Sequence, residues 1–226
     1  MLMIISLVFM GLGALLSSRL KSKFEHYSQM PLVSRLSGAE VARKMLDSYG
    51  LQEVQITQVD GQLTDHYNPG DKTVNLSREV FSGRNVAAAA VAAHECGHAV
   101  QHAEAYAALK MRSALVPIVN ISASMQQFLF MFGLAGMGMF HNKWLLVVAI
   151  AAFAVTALFS LITLPVEFDA SNRAMAWLNS SQMAVGAEYE GAKDALWWAA
   201  MTYVNAALAA LAQLAYLVFS LLGRRN

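Results

Sequence analysis

The sequence predicts a mostly α-helical, multi-span membrane protein with a small α+β segment between its first two spans. Three observations lead there. Of the 226 residues, 57% are hydrophobic and 14% charged, against roughly 45–50% and 25% in soluble domains. Apolar runs recur at 1–17, 114–139, 143–165 and 195–222, each near the roughly 20 residues that a spanning helix needs. Most of the ionisable residues fall in one polar stretch, 24–112.

The first run is followed by Arg19, Lys21 and Lys23 and has no positive region before it, which fits an uncleaved anchor over 1–18 better than a signal peptide. In the polar stretch, Ser37 and Glu40 form a capping box, and the helix they open is closed by Gly50. Val54, Ile56 and Val59, and then Lys72–Leu76 after Asn68-Pro69-Gly70, read as two short strands. Ser77 or Ser82 can start the next helical turn. From Asn85 the chain is alanine-rich and predicts one unbroken helix to about Arg112. The predicted organisation is an anchor (1–18), a catalytic segment (24–113), a transmembrane hairpin (114–165), a further helix (166–194) and a C-terminal span (195–222). Asn120, Gln126 and Gln127 make 114–139 the weakest span, since they must face protein or water. Trp144, Trp197 and Trp198 stand near the ends of apolar runs, as interfacial anchors do.

The formal net charge is +1, which argues against nucleic acid as a partner. Chemistry concentrates at His94-Glu95-Cys96-Gly97-His98. Two histidines four residues apart share one helix face and can converge on a cation. Catalytic zinc uses three protein ligands and an open position, and lowers the pKa of a bound water to about 7. Glu95, beside the first ligand, is placed to take that water's proton during attack on a peptide carbonyl. Cys96 at i+2 faces away and is expected to be a packed small residue, although it is the chain's only cysteine. The continuation H-E-x-x-H-x-x-G-x-x-H is absent, so the third ligand comes from elsewhere. His102 is one more turn along, too far to meet the same ion, and fits an outer hydrogen-bonding role. The remaining acidic candidates are Glu167 and Asp169.

VAAHECGHAVQH, LTDHYNPGDKTVNLS and LPVEFDASNRA together resemble the YugP-type neutral zinc metallopeptidases of bacterial membranes, over nearly the whole chain. The order of an H-E-x-x-H helix, two spans and a glutamate motif is similar, more distantly, to gluzincin membrane proteases such as the CAAX prenyl proteases. That resemblance implies a zincin-like catalytic segment, a Zn2+ cofactor and an E-x-x-A-D motif with glutamate as third ligand. It also implies a substrate-pairing edge strand ahead of the motif helix, which the strand near 72–76 would supply. Here Ser171 stands where the motif has aspartate, leaving Asp169, Asn172 or His102 to support the histidines. Glu167 is the expected ligand. Two crossings return it to the side of His94 and His98, Pro165 suits the first turn of a new helix, and Asp169 on that helix points about 200° away. Asp169 is expected to orient a histidine or to pair with Arg173 at i+4. His66, Tyr67 and Arg173 are further candidates for stabilising the transition state.

The expected function is a membrane-integrated zinc endopeptidase acting on peptide or membrane-protein substrates in the lipid bilayer. The rivals are a non-catalytic zinc-binding scaffold and a metal transporter. Arg19, Lys21 and Lys23 place the site on the cytoplasmic side of a multi-pass cell-membrane protein by the positive-inside rule, with Arg224 and Arg225 against that rule if four spans cross.

Overall fold

The computed structural model describes residues 1–134 and 143–223. Helices α1 (Leu2–Ser28), α2 (Gly38–Ser48), α3 (Arg78–Ser82), α4 (Val86–Ala103), α5 (Ala107–Leu134), α6 (Lys143–Ser180) and α7 (Ala187–Leu222) accompany strands β1 (Gln55–Val59), β2 (His66–Asn68) and β3 (Thr73–Ser77). The mostly helical fold with a small sheet is as expected. Three helices, Leu2–Ser28, Trp144–Ser180 and Ala187–Leu222, are long and apolar enough to cross a membrane. The expected span at 114–139 falls in α5 as far as Leu134; its remaining residues, the turn to 142, and Arg224 and Arg225 lie outside the described residues. Trp197 and Trp198 lie in α7 where its polar first turns give way to the apolar stretch.

The chain forms two compact units. The first takes Met1–Leu15, Lys110–Leu164 and Thr202–Asn226, and Leu129, Leu146, Ala149, Phe153 and Leu217 form an apolar cluster there. Its polar side chains bond within the helix layer: Gln126 donates to Thr156 Oγ1 at 2.6 Å and to the Ala152 carbonyl, and Gln213 to Ser6 Oγ at 3.0 Å. Such pairing is what lets amides sit among apolar helices.

The second unit, Leu16–Leu109 with Pro165–Met201, holds the chemistry-bearing residues. The capping box forms as expected: Glu40 N–H donates to Ser37 Oγ, and the Ser37 N–H donates to Glu40 Oε2 at 2.7 Å. The Val41, Ala42, Met45 and Leu46 face of α2 is then buried in one core with Ala88, Ala92, Cys96 and Ala99 of α4. Arg43 closes the turn beyond α2, donating to the carbonyls of Val54 and Leu51 and to Asp47.

The sheet departs from expectation in two ways. A third strand, β2, appears, and the order is β1-β3-β2 with β1 parallel and β2 antiparallel to β3. The strand at 73–77 is therefore central and has no free edge for a substrate; the open edge beside it belongs to β2. Asp65 fixes this arrangement by accepting from the Ser77 N–H at 2.7 Å and from its hydroxyl at 3.2 Å.

Two helix boundaries also differ. The motif helix is not unbroken to Arg112 but ends at Ala103 and restarts at Ala107. Ala105 takes φ 57°, and the Tyr106 N–H reaches back to the Gln101 carbonyl at 2.9 Å, a left-handed closure that usually recruits glycine. Conversely, Pro165 opens no new helix: it lies inside α6. Proline removes one donor from the helical ladder, and apolar helices tolerate the loss when neighbouring groups re-satisfy the backbone.

Candidate metal centre

Helix α4 begins at Asn85, whose side chain accepts from the Ala88 N–H at 2.9 Å, and its rise carries His94, Glu95 and His98 into the core. The two imidazoles meet edge to face with centroids 4.8 Å apart. Helix α6 brings Glu167 between them, only 2% exposed. Its Oε2 lies 3.3 Å from His94 Nε2 and 3.6 Å from His98 Nε2, and one ligand atom from each residue falls within 4.8 Å of the others.

The two carboxylate–imidazole separations suit zinc. A tetrahedron with bonds of about 2.0–2.1 Å has edges of about 3.3 Å, and two imidazoles with a carboxylate form a donor set that catalytic zinc uses. The electrostatics agree. Burial disfavours a charged His98, but its hydrogen bond to Glu167 and the charges of Glu95 and Glu167 outweigh this and hold its pKa above the ordinary histidine value. A pocket that retains a proton against burial is one that attracts a cation.

The glycine of the motif makes the approach possible. A Cβ at Gly97 would stand 2.5 Å from the Ala170 carbonyl oxygen, so α4 and α6 touch backbone to backbone one turn from Glu167. Around this cluster, His94 Nδ1 lies 3.1 Å from Ser171 Oγ and His98 Nδ1 lies 3.0 Å from Gln101 Oε1. Both Nδ1 atoms thus have partners, and both Nε2 atoms face Glu167. Gln101 Nε2 donates to the Val166 carbonyl and to Asp169 Oδ2, each at 2.8 Å. Asp169 also accepts from Arg173 Nε at 2.6 Å, and Arg173 Nη1 donates to Glu104 at 2.7 Å.

The other predicted residues fall into place unevenly. Glu95 is 8% exposed beside His94. His102 pairs with Tyr67, Nδ1 to hydroxyl at 2.8 Å, and burial with the charges of Glu53 and Asp71 pushes the Tyr67 phenol up to about 12. His66 is exposed, and its Nδ1 lies 2.8 Å from the Thr64 carbonyl of its own loop. Arg173 reaches Asp169 and Glu104, as its i+4 spacing to Asp169 suggested. Cys96 packs against α2, its thiol 3.6 Å from the Ala42 carbonyl and pushed up by burial. Three residues escaped the sequence reading: Gln101, Ser171 as a partner of His94, and Asp65, whose carboxyl is raised by burial, with Glu95's charge adding to the effect. Spacing along one helix could not reveal Ser171 or Asp65, whose partners lie elsewhere in the chain, and although Gln101 is three residues from His98, the groups that orient it come from α6.

Residues 2–222 match the family described as "Putative neutral zinc metallopeptidase". The chain belongs to this family. It is also 39% identical over 222 residues to a Bacillus subtilis (strain 168) protein named "Putative membrane protease YugP", covering 98% of this chain and 97% of that relative. No solved structure gives a significant match. The zinc metallopeptidase family resemblance read from the motifs is therefore borne out, and the matched region contains every residue of the cluster.

Proposed function

We propose that this chain is a membrane-integrated zinc endopeptidase in which His94, His98 and Glu167 hold the ion and Glu95 is the general base. The observation that carries the reading is the convergence of two histidines and a buried carboxylate, with ligand atoms within 4.8 Å of one another, the histidines lying on the helix that also carries Glu95. Bound zinc would polarise the scissile carbonyl and acidify the attacking water. Glu95 takes that water's proton and returns it to the leaving amine. Tyr67, whose hydroxyl meets His102 at 2.8 Å, is the candidate we assign to support the developing oxyanion. The open edge of β2 offers backbone groups for an extended peptide. Ser171 also lines a cleft of about 410 Å³ whose apolar wall includes Phe168, Met175, Leu196 and Trp197, room for a large substrate side chain.

Glu95→Gln keeps the shape of the side chain but removes the base. Proteolysis of a membrane-proteome digest by the purified protein should fall by roughly 10²–10⁴-fold while zinc content stays near one per chain. Undiminished cleavage by this variant would reject Glu95 as base, and wild-type protein that binds zinc without cleaving any substrate would favour a scaffold.

The basic residues Arg19, Lys21 and Lys23 assign the catalytic segment to the cytoplasmic side. The single native cysteine, Cys96, is fully buried, so a cysteine introduced at exposed Gln62 reports alone. It should react with an impermeant maleimide only after the membrane is opened. Labelling in intact cells would reverse the assignment.

A further inference from the structure

We propose that Gln101 is a positioning residue that fixes His98 as its Nδ1–H tautomer, and that Asp169 and Arg173 hold Gln101 in the one orientation able to do so. The inference rests on the zinc reading above for its purpose, though not for its geometry.

The Gln101 amide is completely buried, and one end lies 2.8 Å from two atoms, the Val166 carbonyl and Asp169 Oδ2. Both are oxygens that only accept, so that end must be the NH2 group. The carbonyl end then faces His98 Nδ1 at 3.0 Å. A carbonyl cannot donate, so Nδ1 carries a proton. Once a cation stands where Glu167 would otherwise draw a second proton to Nε2, the ring presents the lone pair of Nε2 to the space shared with His94 and Glu167. That is the tautomer a cation needs, since a ring nitrogen ligates only when unprotonated.

The orientation is itself anchored. A lone glutamine could flip, exchanging donor and acceptor. Here a flip would turn the carbonyl oxygen onto the Val166 carbonyl and a carboxylate, and leave the NH2 group facing the ring. Arg173 prevents Asp169 from swinging away or taking a proton, through its 2.6 Å bond to Oδ2, and is itself tied to Glu104. The chain Glu104–Arg173–Asp169–Gln101–His98 runs from the exposed end of α4 across α6 and back to the ligand. It supports His98 by a route separate from the aspartate motif that Ser171 replaces, because Ser171 attends to His94.

The test reads the ring directly and needs no metal. In the full-length protein stripped of metal with a chelator, labelled with 15N-histidine and carrying Glu167→Ala to remove the carboxylate that draws a proton to Nε2, the nitrogen shifts at high pH report which nitrogen of the neutral ring carries hydrogen. His98 is assigned by its loss in His98→Gln. With Gln101 present, His98 should be wholly the Nδ1–H form. Adding Gln101→Met, similar in volume but without a donor or a strong acceptor, should give a tautomer mixture, and Gln101→Met alone should weaken zinc binding by roughly 10–100-fold. A His98 that is mixed or Nε2–H with Gln101 present overturns the proposal whatever the Met variant does, so the test survives a Gln101→Met protein that fails to fold. An unchanged tautomer in folded Gln101→Met overturns it equally. Wild type that binds no zinc would defeat the metal reading alone, leaving the metal-free ring to decide on Gln101.

Discussion

Replacing Glu167 by Ala should remove zinc and proteolysis together, while Asp169→Ala should lose affinity but retain measurable zinc. The two carboxylates are two residues apart on α6, yet they meet different partners. Glu167 is 2% exposed and lies within 3.3 Å and 3.6 Å of the two imidazole Nε2 atoms, whereas Asp169 meets Gln101 and Arg173. If four-ligand zinc sites bind with about 10–16 kcal/mol, each ligand contributes about 2.5–4 kcal/mol, so losing one costs about 10²–10³-fold in affinity. Loss of an outer partner costs roughly 10–100-fold. Zinc stoichiometry after dialysis against a weak chelator, measured beside activity, separates the cases. Glu167→Gln, which fills the same space without the charge, should behave as Glu167→Ala does; full zinc in both, with loss in Asp169→Ala, would transfer the ligand role to Asp169.

The second large effect should come from one methyl group. In Gly97→Ala the new Cβ would be 2.5 Å from the Ala170 carbonyl oxygen and 3.1 Å from the Ala170 carbonyl carbon and Cα. These atoms are backbone, so no rotamer change relieves the contact, and α4 and α6 must separate. Ala170 is one turn from Glu167, and a zinc site tolerates only about 0.2 Å in its bond lengths. Alanine gains up to about 1 kcal/mol of helix propensity over glycine, but overpacking costs about 1–3 kcal/mol, and the strain falls on the ligand pair. Zinc affinity should drop at least tenfold even where the variant remains folded, and its thermal midpoint should fall. An alanine variant with native zinc affinity and an unshifted midpoint would mean that the two helices have slack at this point.

What could be read from the sequence was what neighbouring residues decide. The capping box at Ser37 and Glu40, strands near 55–59 and 73–77, and the common face of His94 and His98 all follow from spacings of two to four residues. The family resemblance extended this to the chain as a whole. What escaped depends on partners distant in sequence or on strained backbone. Strand β2 has three residues and forms by pairing with β3. The parallel order of β1 and β3 is set by β2's position, which no local pattern encodes. The break after Ala103 uses an alanine at φ 57°, where a glycine would have announced it. Pro165 looks like a helix start and is a helix interior. Gln101 drew no notice because the groups that give it meaning, Val166 and Asp169, are supplied by another helix.

The alanine content of α4 has a consequence for how this protein can vary. Ala87, Ala88, Ala89, Ala90, Ala92, Ala93 and Ala99 are all buried, so the motif helix sits in the core by closeness of backbones and not by bulk of side chains. An ordinary core fails when large residues are trimmed, because cavities open. At these alanines little remains to trim, and serine or glycine alters volume only slightly, whereas valine or leucine in their place must displace a neighbour; buried bulk on this helix is confined to residues such as Val86 and Val100. Tolerance along this helix is therefore governed by size more than by polarity, the inverse of the usual pattern for a hydrophobic interior. Substitutions at these alanines are expected to be tolerated only among the smallest side chains, which keeps the motif's surroundings compositionally narrow.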